Sequence, residues 1–176
     1  GKLKKLNQIN VAVEWNSPTG LRADLFASDK DSPCSAPENV YGKESPYDGS
    51  RYAGIVMYSY NNKAPRTYLQ TKLIAPLRKD VEYCEKFYVS LADLSKYAVN
   101  NFGMYFSKDG LEVEGKADII FDKAKDKEAI ALNQDNKIYN ARYNWEPVCM
   151  TYKASGKEEY LTIGNFYNNK ETKYEK

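Results

Sequence analysis

The strongest constraint on the fold is a recurring period of two. Val81–Leu91 places Val81, Tyr83, Phe87, Val89 and Leu91 on one side, interrupted by Glu85, with Glu82, Lys86 and Ser90 on the other. That is the signature of a half-buried strand. Arg51–Tyr58 follows Pro46-Tyr47-Asp48-Gly49-Ser50, a turn with Asp-Gly at its heart. Thr67–Leu73 alternates Thr67, Leu69, Thr71 and Leu73 with Tyr68, Gln70 and Lys72, and Pro76 ends the run because it cannot donate to a ladder. Phe102–Phe106, Trp145–Tyr152 and Glu159–Phe166 are further strands. The one helical candidate is Ala92–Ala98, about two turns, with Asp93 or Ser95 as cap. Short strands about 10–20 residues apart, joined by long loops, predict an all-β, antiparallel β-sandwich of jelly-roll type with at most one short helix. Phe87, Val89, Leu91, Leu161 and Ile163 are its expected core.

Length and charge bound the rest. A chain of 176 residues suggests one domain. A chain of that size buries about 70% of its unfolded surface and needs no staple. The expected domain is 1–166, with 167–176 as a polar tail or linker. A net charge of +2 argues against a nucleic-acid partner, which would need a concentrated basic face. No apolar run approaches the 18 or so residues of a membrane span, and no apolar region follows the basic start of the chain as a leader would require. Residues 20–50 carry Pro33, Pro37, Pro46, Gly20, Gly42 and Gly49 but few strand signals, and read as a long irregular connection of the kind that carries function. The mixed-charge stretch Asp122–Glu128 reads as a solvated loop.

Chemistry is narrowed by what is missing. There is no histidine, so Ser-His-Asp and Cys-His nucleophile systems are impossible, and most catalytic zinc sites with them. Cys34, Cys84 and Cys149 show no metal spacing. Cys84 and Cys149 lie in expected strands and either pair, if those strands are neighbours, or remain buried thiols. No metal and no cofactor are implied. In contrast, 16 Tyr against 6 Phe and 2 Trp, together with 15 Asn, describe a surface made for amphipathic contact. The plainer reading is that tyrosine decorates outer strand faces, where it is favoured.

Several segments resemble a known family in order and spacing. Trp15-Asn-Ser-Pro18-Thr-Gly20 with Ala23-Asp24-Leu25-Phe26 resembles its opening. Pro37-Glu-Asn39-Val-Tyr-Gly42 through Pro46 and Gly49 to Tyr52-Ala53-Gly54 resembles the segment that follows. Tyr68-Leu-Gln70-Thr-Lys-Leu73, Phe87-Tyr-Val-Ser90-Leu-Ala-Asp93, Asn100-Asn101-Phe-Gly103 and Tyr160-Leu-Thr-Ile-Gly164-Asn165-Phe166 continue the match. Together they resemble the N-terminal jelly-roll domain of Bacteroidetes OmpA-family cell-envelope proteins, which is related to carbohydrate-binding modules and galactose-binding-like sandwiches. The family's usual "Asn-x-Ser-Phe-Glu" opening strand and its final Tyr/Phe-rich strand are absent, which suggests an open sheet edge that another chain could pair with. The resemblance implies a cell-envelope address and a non-catalytic role in an outer-membrane or periplasmic protein complex. A glycan is the other implied partner. Peptidoglycan would be reached only through a further domain of such proteins.

Candidate ligand groups are the flat aromatic faces and planar polar groups that sugar or protein surfaces recognise: Tyr58, Tyr60, Arg66, Tyr68, Tyr97, Asn100 and Asn101. Trp15 and Trp145 are also considered, against the plainer reading that each plugs the core or covers a sheet edge. Asn100-Asn101 equally reads as a turn pair. Asp24, Glu44 and Asp48 lack the dense spacing of a calcium loop. Two classes of function stand: a binding or assembly module, and a glycan-processing enzyme using Asp and Glu alone, for which no carboxylate pair is singled out.

Overall fold

The computed structural model describes residues 3–28, 32–122, 125–126, 129–133 and 137–176. Four positions of the Asp122–Glu128 stretch (123, 124, 127 and 128) therefore lie outside the described residues. The architecture is an all-β antiparallel sandwich. Its strands are β1 (Trp15–Asn16), β2 (Asp24–Ala27), β3 (Glu38–Asn39), β4 (Gly42–Lys43), β5 (Arg51–Gly54), β6 (Leu69–Lys72), β7 (Glu82–Val89), β8 (Ala98–Val99), β9 (Gly103–Ser107), β10 (Ile130–Leu132), β11 (Glu146–Lys153), β12 (Tyr160–Gly164) and β13 (Tyr174–Glu175). Among the described residues one sheet has the order β1-β6-β12-β9-β10, and four two-stranded ladders pair β11 with β7, β13 with β8, β2 with β5 and β3 with β4. Among the described residues no helix is long and apolar enough to cross a membrane.

The main core lies between the five-stranded sheet and the β7–β11 ribbon. β11 alternates strictly, burying Val148, Met150 and Tyr152 and exposing Pro147, Cys149, Thr151 and Lys153. The opposing sheet supplies Met104, Phe106 and Ile163. Phe106 stacks on Tyr152 with ring centroids 4.0 Å apart. Phe87, Val89 and Leu161 pack against this cluster from half-buried positions. Leu91 is half-buried and belongs to none of the apolar clusters, because the chain has left the ribbon by then and Leu91 bonds instead to the carbonyl of Ala141. Ile163 retains 8% of its exposure. Ile163→Ala is expected to cost about 2–5 kcal/mol in chemical denaturation. Leu91→Ala is expected to fall below that range; a larger loss at Leu91 than at Ile163 would contradict this packing.

The other face of the five-stranded sheet is also covered. Tyr68, just before β6, and Gln70 on it are apparently outer residues, yet they are 0% and 4% exposed. The segment 111–121 lies over them: Leu111 N donates to Gln70 Oε1 at 2.7 Å and Ile119 N to the Tyr68 hydroxyl at 2.9 Å. A polar sheet face can be buried because its polar atoms are paired.

Three expectations are corrected. Ala92–Ala98 is not a helix: Leu94 N bonds to the Tyr41 carbonyl, and Ala98–Val99 is strand β8. The guanidinium of Arg142 donates to the carbonyls of Ala92, Asp93 and Ser95 at 2.6, 2.5 and 2.9 Å, outcompeting a helix too short to hold itself. Segment 20–50 contains β2, whose four residues are all buried and so show no alternation. Finally, Cys84 and Cys149 sit on neighbouring strands, but Cys84 opposes Thr151 and Cys149 opposes Lys86. Both point to solvent as free thiols, neither paired nor buried, while Cys34 is the buried one.

Candidate functional site

Tyr58 and Tyr60 meet Tyr97, almost forty residues further along, at one place on the surface. Tyr58 follows β5. Tyr60 opens a single 3-10 turn whose Asn61 and Asn62 adopt φ of 53° and 52°. Asparagine tolerates that left-handed region better than most residues. Tyr97 immediately precedes β8. A fourth ring, Tyr174 of β13, joins them because Tyr174 pairs with Val99 and Glu175 with Ala98. Tyr58 and Tyr174 stack at 4.7 Å, and Tyr97 meets both edge-on at 5.4 Å. The Tyr60 and Tyr97 planes are 10° apart at 6.2 Å. Tyr60 and Tyr174 remain 48% and 44% exposed, so the cluster is a surface platform rather than a core. Burial, then the hydrogen bond with Tyr174, raises the Tyr58 phenol above its ordinary value. Tyr58 therefore remains a neutral hydroxyl at physiological pH.

Arg66 lies inside, 1% exposed, and holds the platform together rather than facing a ligand. Its guanidinium donates to the carbonyls of Asn165 (2.9 Å) and Tyr167, to Asn169 Oδ1 at 2.7 Å and to Thr172 Oγ1 at 3.4 Å. Its Nε faces Asp118 Oδ2 at 3.6 Å. Asn165, fully buried, donates to the Met57 carbonyl at 2.9 Å and to Thr172 Oγ1 at 3.0 Å. Asn169 donates to the Ser59 carbonyl at 2.7 Å. These bonds fasten residues 165–172 to 57–59, and so carry Tyr58 and Tyr174 to the same spot. Residues 167–176 are thus no frayed tail: Thr172 is 5% exposed and β13 is paired.

The remaining candidates are not part of this surface. Tyr68 is wholly buried, and burial pushes its phenol up to about 12. Asn100 is buried, and its backbone carbonyl accepts from Asn133. Asn101 Oδ1 accepts from Lys173 N at 2.7 Å, fastening the start of β13. Trp15 packs against the main core and against a second apolar cluster built around β2. Trp145 donates to the Ser45 carbonyl at 2.8 Å and meets Tyr52 edge-on. Both tryptophans cover the sandwich.

Several carboxylates serve the fold. Asp24, raised mainly by burial, accepts from Asn7 N at 2.6 Å. Glu158 is held at about 2: burial raises it, but donors from Ser155, its own backbone and Tyr152 outweigh that. Glu44 accepts from Ser90, and Asp48 from Gly49 N. Asp24, Glu44 and Asp48 thus each serve a different local bond. Tyr174 was missed in the sequence because it stands alone in a polar segment with no period. Its one signal was being an aromatic there. No protein-family model matches the chain, and no curated protein or solved structure matches it either.

Proposed function

We propose that the chain is a non-catalytic binding and assembly module of the bacterial cell envelope, a jelly-roll relative of the N-terminal domain of OmpA-family proteins, that docks protein partners through its tyrosine platform. One observation carries the reading: four tyrosines from three separate segments are gathered at one exposed site by a buried polar network. Tyrosine offers large, rigid contact area with a hydroxyl tip, and is enriched where interfaces concentrate their energy. The net charge of +2 gives little long-range steering, so recognition is short-range and sets residence more than encounter. The β7–β11 ribbon adds a second docking feature, since neither strand has another ladder partner among the described residues. The partner belongs to an outer-membrane or periplasmic complex.

A glycan is the second reading, favoured by the exposed Tyr60 ring beside the amides of Asn62 and Asn169. Affinity capture from Bacteroidetes envelope extracts, run beside an oligosaccharide array, separates the two. Wild-type protein is expected to retain a defined envelope complex. Tyr60→Ala with Tyr174→Ala should weaken capture at least tenfold, since each interface anchor is worth about 2 kcal/mol or more. Oligosaccharide binding lost in the same variant, with no protein recovered, would overturn the assembly reading.

A further inference from the structure

A second site, separate from the tyrosine platform in its residues, is an open cleft of about 570 Å³ beside β1, between residues 16–22 and 111–114. Its walls are pinned to each other. Val113 N donates to the Pro18 carbonyl at 2.7 Å, and Gly20 N to the Gly115 carbonyl at 2.6 Å. A Cβ at Gly20 would lie 2.7 Å from that carbonyl oxygen, so only glycine permits the approach. The floor is the amide of Gln70, 4% exposed. Its Nε2 donates to Asn16 Oδ1 and the Leu111 carbonyl, and its Oε1 accepts from Leu111 N and Thr162 Oγ1. Every hydrogen-bonding position of that amide is filled. Ser17 and Thr19 likewise spend their hydroxyls on the carbonyls of Tyr68 and Leu21.

The floor therefore has little left for the hydroxyls of a sugar. What remains uncommitted is charge. Arg22 comes from one wall, and Glu112 and Glu114 from the other. None of the three has an ion-pair partner among the described residues. Asn16, whose Oδ1 is taken by Gln70, also lines the cleft, and its NH2 group has no acceptor among the described residues. A cleft lined by one guanidinium-bearing wall and one wall with two carboxylates complements a molecule that carries both signs.

We propose that this cleft binds a small zwitterionic ligand, an amino acid or short peptide with one carboxylate and at least one ammonium group. The carboxylate meets Arg22 and Asn16, and the ammonium group meets Glu112 or Glu114. Pro18, Leu111 and Val113 give the ligand's methylene groups an apolar strip. Because the charged groups are solvent-exposed, each contact is weak and sensitive to salt.

The test is an amide-shift NMR titration of the whole chain with lysylglycine at low ionic strength. The comparison ligands are its diacetylated form, its C-terminal amide, and maltose. Lysylglycine is expected to move resonances of residues 16–22 and 111–114 with a Kd of about 1–10 mM. Removing either ligand charge should weaken binding about threefold to fivefold. Arg22→Gln should abolish the preference for the free carboxylate, and Glu112→Gln with Glu114→Gln the preference for the free ammonium, with melting unchanged in each. No shifts at these resonances up to about 20 mM would overturn the proposal. So would maltose binding as tightly as the dipeptide, or charge variants that leave both preferences intact.

Discussion

Replacing Arg66 with methionine is expected to destabilise the protein by about 3–5 kcal/mol, the cost of removing a buried cation on which several acceptors depend. The side chain is 1% exposed, so no water stands ready to replace it. Its removal leaves the carbonyls of Asn165 and Tyr167, Asn169 Oδ1 and the Asp118 carboxylate without their cation. Arg66→Lys rescues only part of this, because an ammonium cannot reach acceptors spread around a planar fork. Urea denaturation with an unchanged slope, read as a shift of midpoint, measures the loss. The melting temperature should fall by about 10 °C, given roughly 2–4 °C per kcal/mol at this size. A second readout follows from position. The bonds lost are those that hold 165–172, so Tyr174 should leave the platform and the accessibility of Tyr58 should rise. A loss below about 1 kcal/mol would show that the network is ornamental.

Glu158→Gln is expected to cost about 3 kcal/mol at neutral pH, and nearly nothing at pH 2. The carboxylate is 3% exposed and accepts from Ser155 N at 2.6 Å, from Gly156 N and Lys157 N at 2.9 Å each, and from the Tyr152 hydroxyl at 2.8 Å. These donors outweigh burial and lower the pKa from 4.5 to about 2. A depressed folded pKa contributes stability that is complete above the unfolded value. That contribution fades as pH falls from about 4.5 towards 2. At about 1.4 kcal/mol for each unit, the shift amounts to about 3 kcal/mol. Glutamine fails because its NH2 would face amide donors. Denaturation of both proteins across pH 2–7 should therefore show two curves that converge in acid. Parallel curves would mean that the carboxylate is not charged in the folded state. The turn depends on Gly156 as well, at φ 88°, where a Cβ would lie 2.7 Å from Lys79 Cβ.

The sandwich was legible wherever one side of a strand meets water. β7 and β11 alternate in the sequence and in the structure alike, because the β7–β11 ribbon has one dry face. β6 misled for the opposite reason. Covered on both faces, it buries Gln70, with Tyr68 just before it, and polarity no longer marks the outside. β2, buried throughout, has no period to read. The false helix at Ala92–Ala98 had local propensity in its favour and lost to three bonds from Arg142, about 50 residues away.

The same division runs through the site. The sequence alone determined that the chain is all-β, that it carries no histidine for catalysis, and that tyrosine is its commonest aromatic. It also marked Tyr58, Tyr60 and Tyr97, together with Tyr68, as aromatics with a hydroxyl tip. Only the tertiary structure decided that the first three share one surface and that Tyr174 completes it. It decided too that Arg66, Tyr68 and the paired asparagines Asn100 and Asn101 support the fold instead of facing a partner. The physical reason is range. Period and composition report each residue's immediate neighbours, whereas an arginine's role is set by acceptors that arrive from about a hundred residues further along the chain.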